Sequence, residues 1–328
     1  MKIAMIFPGY GSQYVGMAKE LYDEHRIVQE YFEEASNCLP INFVKLCFAS
    51  SDADVAQLNH AYPALFLVSC SLFALLKEQG IHPTLITGFN QGEYAAMFAA
   101  GCITFPDGLY LLSKYSTFYQ DALNEMSAEI IRIHGVPTQV LSDMCIQAGK
   151  NGDAPSIAAY FTETDHEVSG TFAAVSELRD LVHQKFASAK IEEVTVQGGL
   201  HSPMMQQVVN NYKIYLEKVD FKDPALPMIS GIDGRLVATG AEVKERVVTQ
   251  IDSPILWNKV ADVLAAHDLI IEVGPGTMLS ELLKKTNPDK VVVSFNKQAD
   301  IEKIKSMMPK PKPEQPAAEE PKESDDGI

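Results

Sequence analysis

Cysteine is scarce and shows no pattern in this chain. Its five residues, Cys38, Cys47, Cys70, Cys102 and Cys145, include no Cys-x-x-Cys pair. An odd, scattered set without such a pair reads as free thiols in a reducing compartment. Long apolar runs are missing too. Only Ile3–Phe7 precedes Pro8, too little for a secretory leader, and the longest run, 64–76, is interrupted by Ser69, Cys70 and Ser71. A cytoplasmic protein with no membrane partner is expected. The third shortage is positive charge: 27 Lys and Arg against 43 Asp and Glu leave a net charge of −16. Phosphate backbones need a basic face, so nucleic acid is not an expected partner. No motif suggests a metal or a nucleotide cofactor.

What is present is apolar mass. With 328 residues, 46% of them hydrophobic, the chain can bury one large domain and a smaller one. Ile3–Phe7 reads as a strand buried on both faces. The loop Pro8-Gly9-Tyr10-Gly11-Ser12-Gln13 follows, then a helix with Val15, Ala18, Leu21 and Tyr22 at helical spacing. That loop is either an anion-holding set of backbone amides or a plain tight turn. A buried helix is expected over 62–79, with Pro63 in its first turn and Gly80 past its end. Another starts at Pro106, carrying Leu109, Leu112, Tyr115, Tyr119 and Leu123 along one face.

From about Ala128 the pattern becomes strand, helix, strand, helix, strand, at 130–134, 138–148, 156–161, 171–188 and 190–197. Such a block can form a small ferredoxin-like subdomain. The expected division is therefore 1–127 with 198–297 as a large α/β-hydrolase-like subdomain with a parallel sheet, and 128–197 as the insert. Residues 298–308 would be a terminal helix or linker, and the Pro-, Glu- and Lys-rich segment 309–328 a disordered tail.

The most informative stretch is Thr84-Leu85-Ile86-Thr87-Gly88-Phe89-Asn90-Gln91-Gly92-Glu93, running into an alanine-rich helix. Strand, tight turn between glycines and helix is the layout of a nucleophile elbow. The position that holds serine in Gly-x-Ser-x-Gly holds Asn90.

Five landmarks carry a resemblance. They are Phe7-Pro8-Gly9-Tyr10-Gly11-Ser12-Gln13; Gly88-Phe89-Asn90-Gln91-Gly92-Glu93-Tyr94-Ala95-Ala96; His201-Ser202-Pro203-Met204-Met205; Gln250 with Ser253-Pro254-Ile255-Leu256-Trp257; and Glu272-Val273-Gly274-Pro275-Gly276. In this order they resemble the malonyl-CoA:acyl-carrier-protein transacylases and polyketide-synthase acyltransferase domains, over roughly residues 1–297. The resemblance implies a serine nucleophile that takes malonyl from CoA and passes it to the phosphopantetheine thiol of acyl carrier protein. It makes acyl carrier protein the expected partner and CoA thioesters possible substrates, with no cofactor. By position His201 would be the base, and the Gln250 carbonyl would orient it. The amides of Gln91 and Tyr10 would hold the oxyanion.

This chain departs from that pattern at the chemistry. Asn90 replaces the serine, and a carboxamide nitrogen cannot accept an acyl group. Tyr115 stands where the family's carboxylate-gripping arginine is expected, and Lys114 projects about 100° away around the helix. Tyr10 replaces a glutamine and Phe89 a histidine. Losing a serine nucleophile costs on the order of 10⁶-fold in rate. Ser202, Ser113 and Ser116 read as surface or capping residues. Three readings stand: a silent homologue that binds an acyl carrier or CoA-linked group; direct use of His201 on a thiol or water; and malonyl transfer through an unrecognised nucleophile.

Overall fold

The structure, a computed structural model, describes residues 1–149, 153–194 and 198–309. Its strands are β1 (Ile3–Phe7), β2 (Leu85–Gly88), β3 (Ala128–His134), β4 (Ser156–Tyr160), β5 (Asp165–Thr171), β6 (Lys190–Glu193), β7 (Met228–Ile229), β8 (Leu236–Val237), β9 (Leu269–Val273) and β10 (Val292–Phe295). Six form one sheet in the order β10-β9-β1-β2-β7-β8, parallel except for β8, and the other four form an antiparallel sheet in the order β4-β5-β3-β6.

The apolar run of β1 follows from its place at the centre of the large sheet, between β9 and β2. Ile3, Met5 and Phe7 enter one core cluster and Ala4 and Ile6 the other, so both faces of the strand are covered. The C-terminal ends of β1, β2, β7 and β9 all release loops at the same edge, where open α/β sheets place their ligands. These loops are in close contact. A Cβ on Gly9 would lie 2.6 Å from the Phe89 carbonyl oxygen, one on Gly231 2.0 Å from that of Gly88, and one on Gly274 2.8 Å from the Pro8 ring.

The small sheet, with helices Thr138–Ala148 and Phe172–Lys185 between its strands, has the βαββαβ order of a ferredoxin-like unit. Its own core gathers Ile131, Ile133, Leu141, Val168, Leu178 and Val182. It is joined to the large body at Ile255, which exchanges backbone hydrogen bonds with Ala158 (2.9 Å) and Tyr160 (2.8 Å).

Several expectations need correction. The small unit has a fourth strand, β5, that the sequence pattern did not reveal; its polar alternation and Gly170 mask an antiparallel partner of both β3 and β4. The first helix is only Lys19–Glu24, because Ala18 sits at φ 62° and breaks the turn before it. The core helix begins at Leu58, so Pro63 lies inside it and not in its first turn. Helices Arg26–Cys38, Phe43–Ala49, Asp52–Ala56 and Gly240–Asp252 also went unread. Helix Gln298–Met307 closes the described chain, while 195–197 of the expected last small strand and 310–328 of the tail lie outside the described residues. Among the described residues one helix, Leu58–Glu78, is long and apolar enough to cross a membrane, and 83% of its apolar window is buried inside the protein.

Candidate active site

The elbow exists because two glycines permit it. A Cβ on Gly88 would meet the Gly92 backbone at 2.1 Å, and one on Gly92 would meet the Phe7 carbonyl oxygen at 2.1 Å. No side chain fits there. Between them Asn90 stands at φ 54°, in the left-handed region, where asparagine is among the few tolerated non-glycine residues. It is buried, and no described residue hydrogen-bonds its side chain. Helix Gly92–Ala99 starts immediately after it.

His201 has the same backbone character, at φ 60°, and is also buried. Its amide donates to the Ile251 carbonyl at 3.0 Å, and its Nδ1 lies 2.6 Å from the Gln250 carbonyl oxygen. A carbonyl can only accept, so Nδ1 carries the proton and Nε2 is the bare nitrogen. Nε2 is buried with no hydrogen-bond partner among the described residues. Burial holds the imidazole pKa down at about 4, against a smaller opposite effect of the Gln250 bond. The ring is therefore neutral near pH 7, as a base must be.

The residues expected to act together fall into two joined groups. Tyr10 and Gln91 meet directly, but through a contact that spacing could not reveal: the Tyr10 amide donates to Gln91 Oε1 at 3.1 Å. A substrate oxygen bound by that amide would have to displace this carboxamide. His201 and Gln250 form the second group. Glu93 links them, because its Oε1 accepts from the Gly231 amide at 2.5 Å and its Oε2 from Gln250 Nε2. Burial raises the Glu93 pKa to about 8. Read in sequence only as a helix-dipole residue, Glu93 could have been found as the lone charge in an alanine-rich apolar run.

Tyr115 is buried in a tyrosine cluster that reaches the first group through Tyr10. Ring centroids lie 5.9 Å apart for Tyr10–Tyr62, 5.5 Å for Tyr62–Tyr115 and 5.4 Å for Tyr115–Tyr212, and the Tyr212 and Tyr94 hydroxyls meet at 2.6 Å. Among the described residues no cation enters this cluster. Lys114 instead places its ammonium over the Tyr110 and Tyr215 rings, 5.8 and 5.6 Å from their centroids. Two serines near the site are committed, Ser202 Oγ donating to the Gly199 carbonyl at 2.5 Å and Ser116 Oγ to that of Ser113 at 3.0 Å, whereas the buried Ser69 Oγ, beside Gly274, has no hydrogen-bond partner among the described residues.

A cleft of about 460 Å³ opens beside the elbow, lined by Ser12, Gln13, Arg132, Phe161, Met278 and Lys285 among others. Phe161 lies tilted against Phe89, with centroids 6.1 Å apart and planes at 35°, so the cleft wall reaches the residue before Asn90. The Arg132 guanidinium lies 4.4 Å over the Phe161 ring and pairs with Glu167. No group of metal-ligating side chains occurs among the described residues.

The sequence profile of the acyl transferase domain family matches residues 4–323. The malonyl CoA-acyl carrier protein transacylase of Bacillus subtilis (strain 168) is 31% identical over 288 residues, covering 87% of this chain and 90% of that protein. The crystal structure of an acyl carrier protein S-malonyltransferase from Vibrio cholerae O1 superposes with a TM-score of 0.88 at 25% identity, over 93% of this chain and all of that one (100%). A malonyl-transacylase solved in complex with a type II polyketide-synthase acyl carrier protein has the same fold (TM-score 0.87, 24% identity, 92% and 98% covered).

Proposed function

From the premise that this chain belongs to the malonyl-CoA:acyl-carrier-protein transacylase family, we propose that it is a member without the serine ping-pong reaction. In this reading it binds an acyl carrier protein, or the CoA-linked equivalent, without storing the acyl group. The observation that carries it is Asn90. The elbow glycines and the left-handed backbone that raise a nucleophile are intact, and the raised residue is a carboxamide. Losing the serine removes on the order of 10⁶ in rate, about 8 kcal/mol of barrier. Ser202 and Ser116 offer no relief, since both already donate to backbone carbonyls. Among the described residues no cation meets the tyrosine cluster around Tyr115, so it gives a malonyl carboxylate no ion-pair partner. The cleft with Arg132 and Lys285 has room for a pantetheine arm and its phosphate.

A second reading has its own support in His201, which is neutral, fixed at Nδ1 and bare at Nε2. A base so held can activate a thiol or water directly against a bound thioester.

Intact-mass measurement after incubation with malonyl-CoA or acetyl-CoA separates the readings. The silent reading expects no adduct and no CoA release. A stable adduct overturns it and, once mapped, names the nucleophile. CoA release without an adduct, lost in His201→Ala, favours direct use of the histidine.

A further inference from the structure

The side chain of Glu93 joins three parts of the molecule that sequence leaves far apart. Its own backbone opens the elbow helix, one residue after Gly92. One carboxyl oxygen takes the Gly231 amide at the end of β7, where the glycine lies tightly against the Gly88 carbonyl. The other takes the side-chain amide of Gln250, near the end of helix Gly240–Asp252. The same Gln250 offers its backbone carbonyl to His201 Nδ1, and the next residue, Ile251, offers its carbonyl to the His201 amide. The carboxyl group thus fastens the helix end that determines where the imidazole sits. Glu93 is buried, and among the described residues no cation hydrogen-bonds it; Arg246 pairs instead with Asp233 at 3.2 Å. A charge-bearing group retained at such a place must do more than pack, because burying a carboxyl away from water is costly.

We infer that Glu93 is a positioning residue for His201: by holding the Gln250 side chain it fixes the Gln250 carbonyl, and so keeps the imidazole in the Nδ1–H tautomer with Nε2 bare. Glu93 does not touch the reacting atoms. It acts through one glutamine, whose side chain and carbonyl face opposite partners. The inference uses the assignment of His201 as the base of the site, which belongs to the proposed function.

The test reads the tautomer of His201 directly, in the full-length protein labelled with ¹⁵N-histidine, by long-range proton–nitrogen correlation NMR. The His201 signals are those missing in His201→Gln. Gln250→Met keeps the backbone carbonyl but severs the link to Glu93. It should raise the population of the Nε2–H tautomer about fivefold, the equivalent of one ordinary hydrogen bond. Glu93→Ala should do the same. Glu93→Gln should restore the native tautomer, because its oxygen can still accept from Gly231 and its amide can donate to a turned-over Gln250 carboxamide. Unchanged tautomer populations in folded Gln250→Met overturn the inference, as does Glu93→Gln behaving like Glu93→Ala. If Glu93→Ala does not fold, Gln250→Met decides, since Glu93 keeps its Gly231 partner there. An intact linkage combined with Asn90→Ser acylation that ignores His201→Gln supports the positioning role while removing the base assignment, so the two failures are told apart.

Discussion

The elbow and the histidine segment present the same backbone in two different settings. Asn90 and His201 are both buried non-glycine residues in the left-handed region, at φ 54° and 60°. At the elbow the conformation is imposed by main-chain packing: Gly88 and Gly92 admit no Cβ, whatever stands between them. At the histidine it is held by a relay of particular groups, Ile251, Gln250 and Glu93. A frame of glycines survives a change of its central side chain, whereas a relay depends on the identity of each member. That difference explains how the central residue of the elbow can change while the histidine segment keeps its geometry.

The largest effect should come from returning chemistry to the frame. Asn90→Ser is expected to become acylated by a CoA thioester where the parent is not, with a gain bounded by about 10⁶-fold. Acetyl-CoA should outpace malonyl-CoA, because no cation among the described residues faces the tyrosine cluster. Intact mass and mapped peptides check this. A folded Asn90→Ser that resists every acyl-CoA would mean that the elbow and the histidine are not aligned, and the comparison would fail. Next comes the frame itself. Gly92→Ala sets a Cβ 2.1 Å from the Phe7 carbonyl oxygen and should cost on the order of 3 kcal/mol, read as a lower denaturation midpoint.

The relay should reveal itself through pH. Folding lowers the His201 pKa from 6.5 to about 4. The neutral form is favoured in the folded state, so this stability is fully present above pH 6.5 and is lost as pH falls toward 4. For Glu93 the shift runs upward, from 4.5 to about 8, so its protonated form is the better tolerated one and its contribution is lost as pH rises through that interval. Urea titrations of His201→Gln should lack the acid-side loss, and those of Glu93→Gln should lack the slope between pH 4.5 and 8. If either variant keeps the parental slope, the corresponding half of the relay titrates differently from its geometry.

Much of this was legible beforehand, and what was missed has physical causes. Pattern alone revealed β1, because a strand covered on both faces must be apolar throughout, and the elbow, because only glycine tolerates contacts of about 2 Å. β5 stayed hidden because it alternates like many exposed segments and its partners are found only by folding. The contact of Gln91 with the Tyr10 amide was equally hidden, since it spans 81 residues and involves a side chain that spacing cannot orient. The tyrosine cluster draws Tyr10, Tyr62, Tyr94, Tyr115 and Tyr212 from separate elements, and sequence reasoning named only two of them as site residues.

The smallest effect addresses the elbow backbone alone. If the frame imposes φ 54° on any occupant, a residue without a Cβ should relax it. A left-handed conformation costs an ordinary L-residue about 1–2 kcal/mol, asparagine less, and glycine nothing. Against this stands the greater freedom that glycine gains in the unfolded chain, about 0.5–1 kcal/mol. Asn90→Gly should therefore be close to neutral, within about 0.5 kcal/mol of the parent. Asn90→Val, β-branched and ill-suited to positive φ, should lose about 2 kcal/mol more than glycine does. A calorimetric series of Gly, Asn, Ser and Val at this position should fall in that order of stability. Equal stabilities would show that the turn yields to its occupant, and that the elbow owes its shape to Asn90 as much as to the glycines around it.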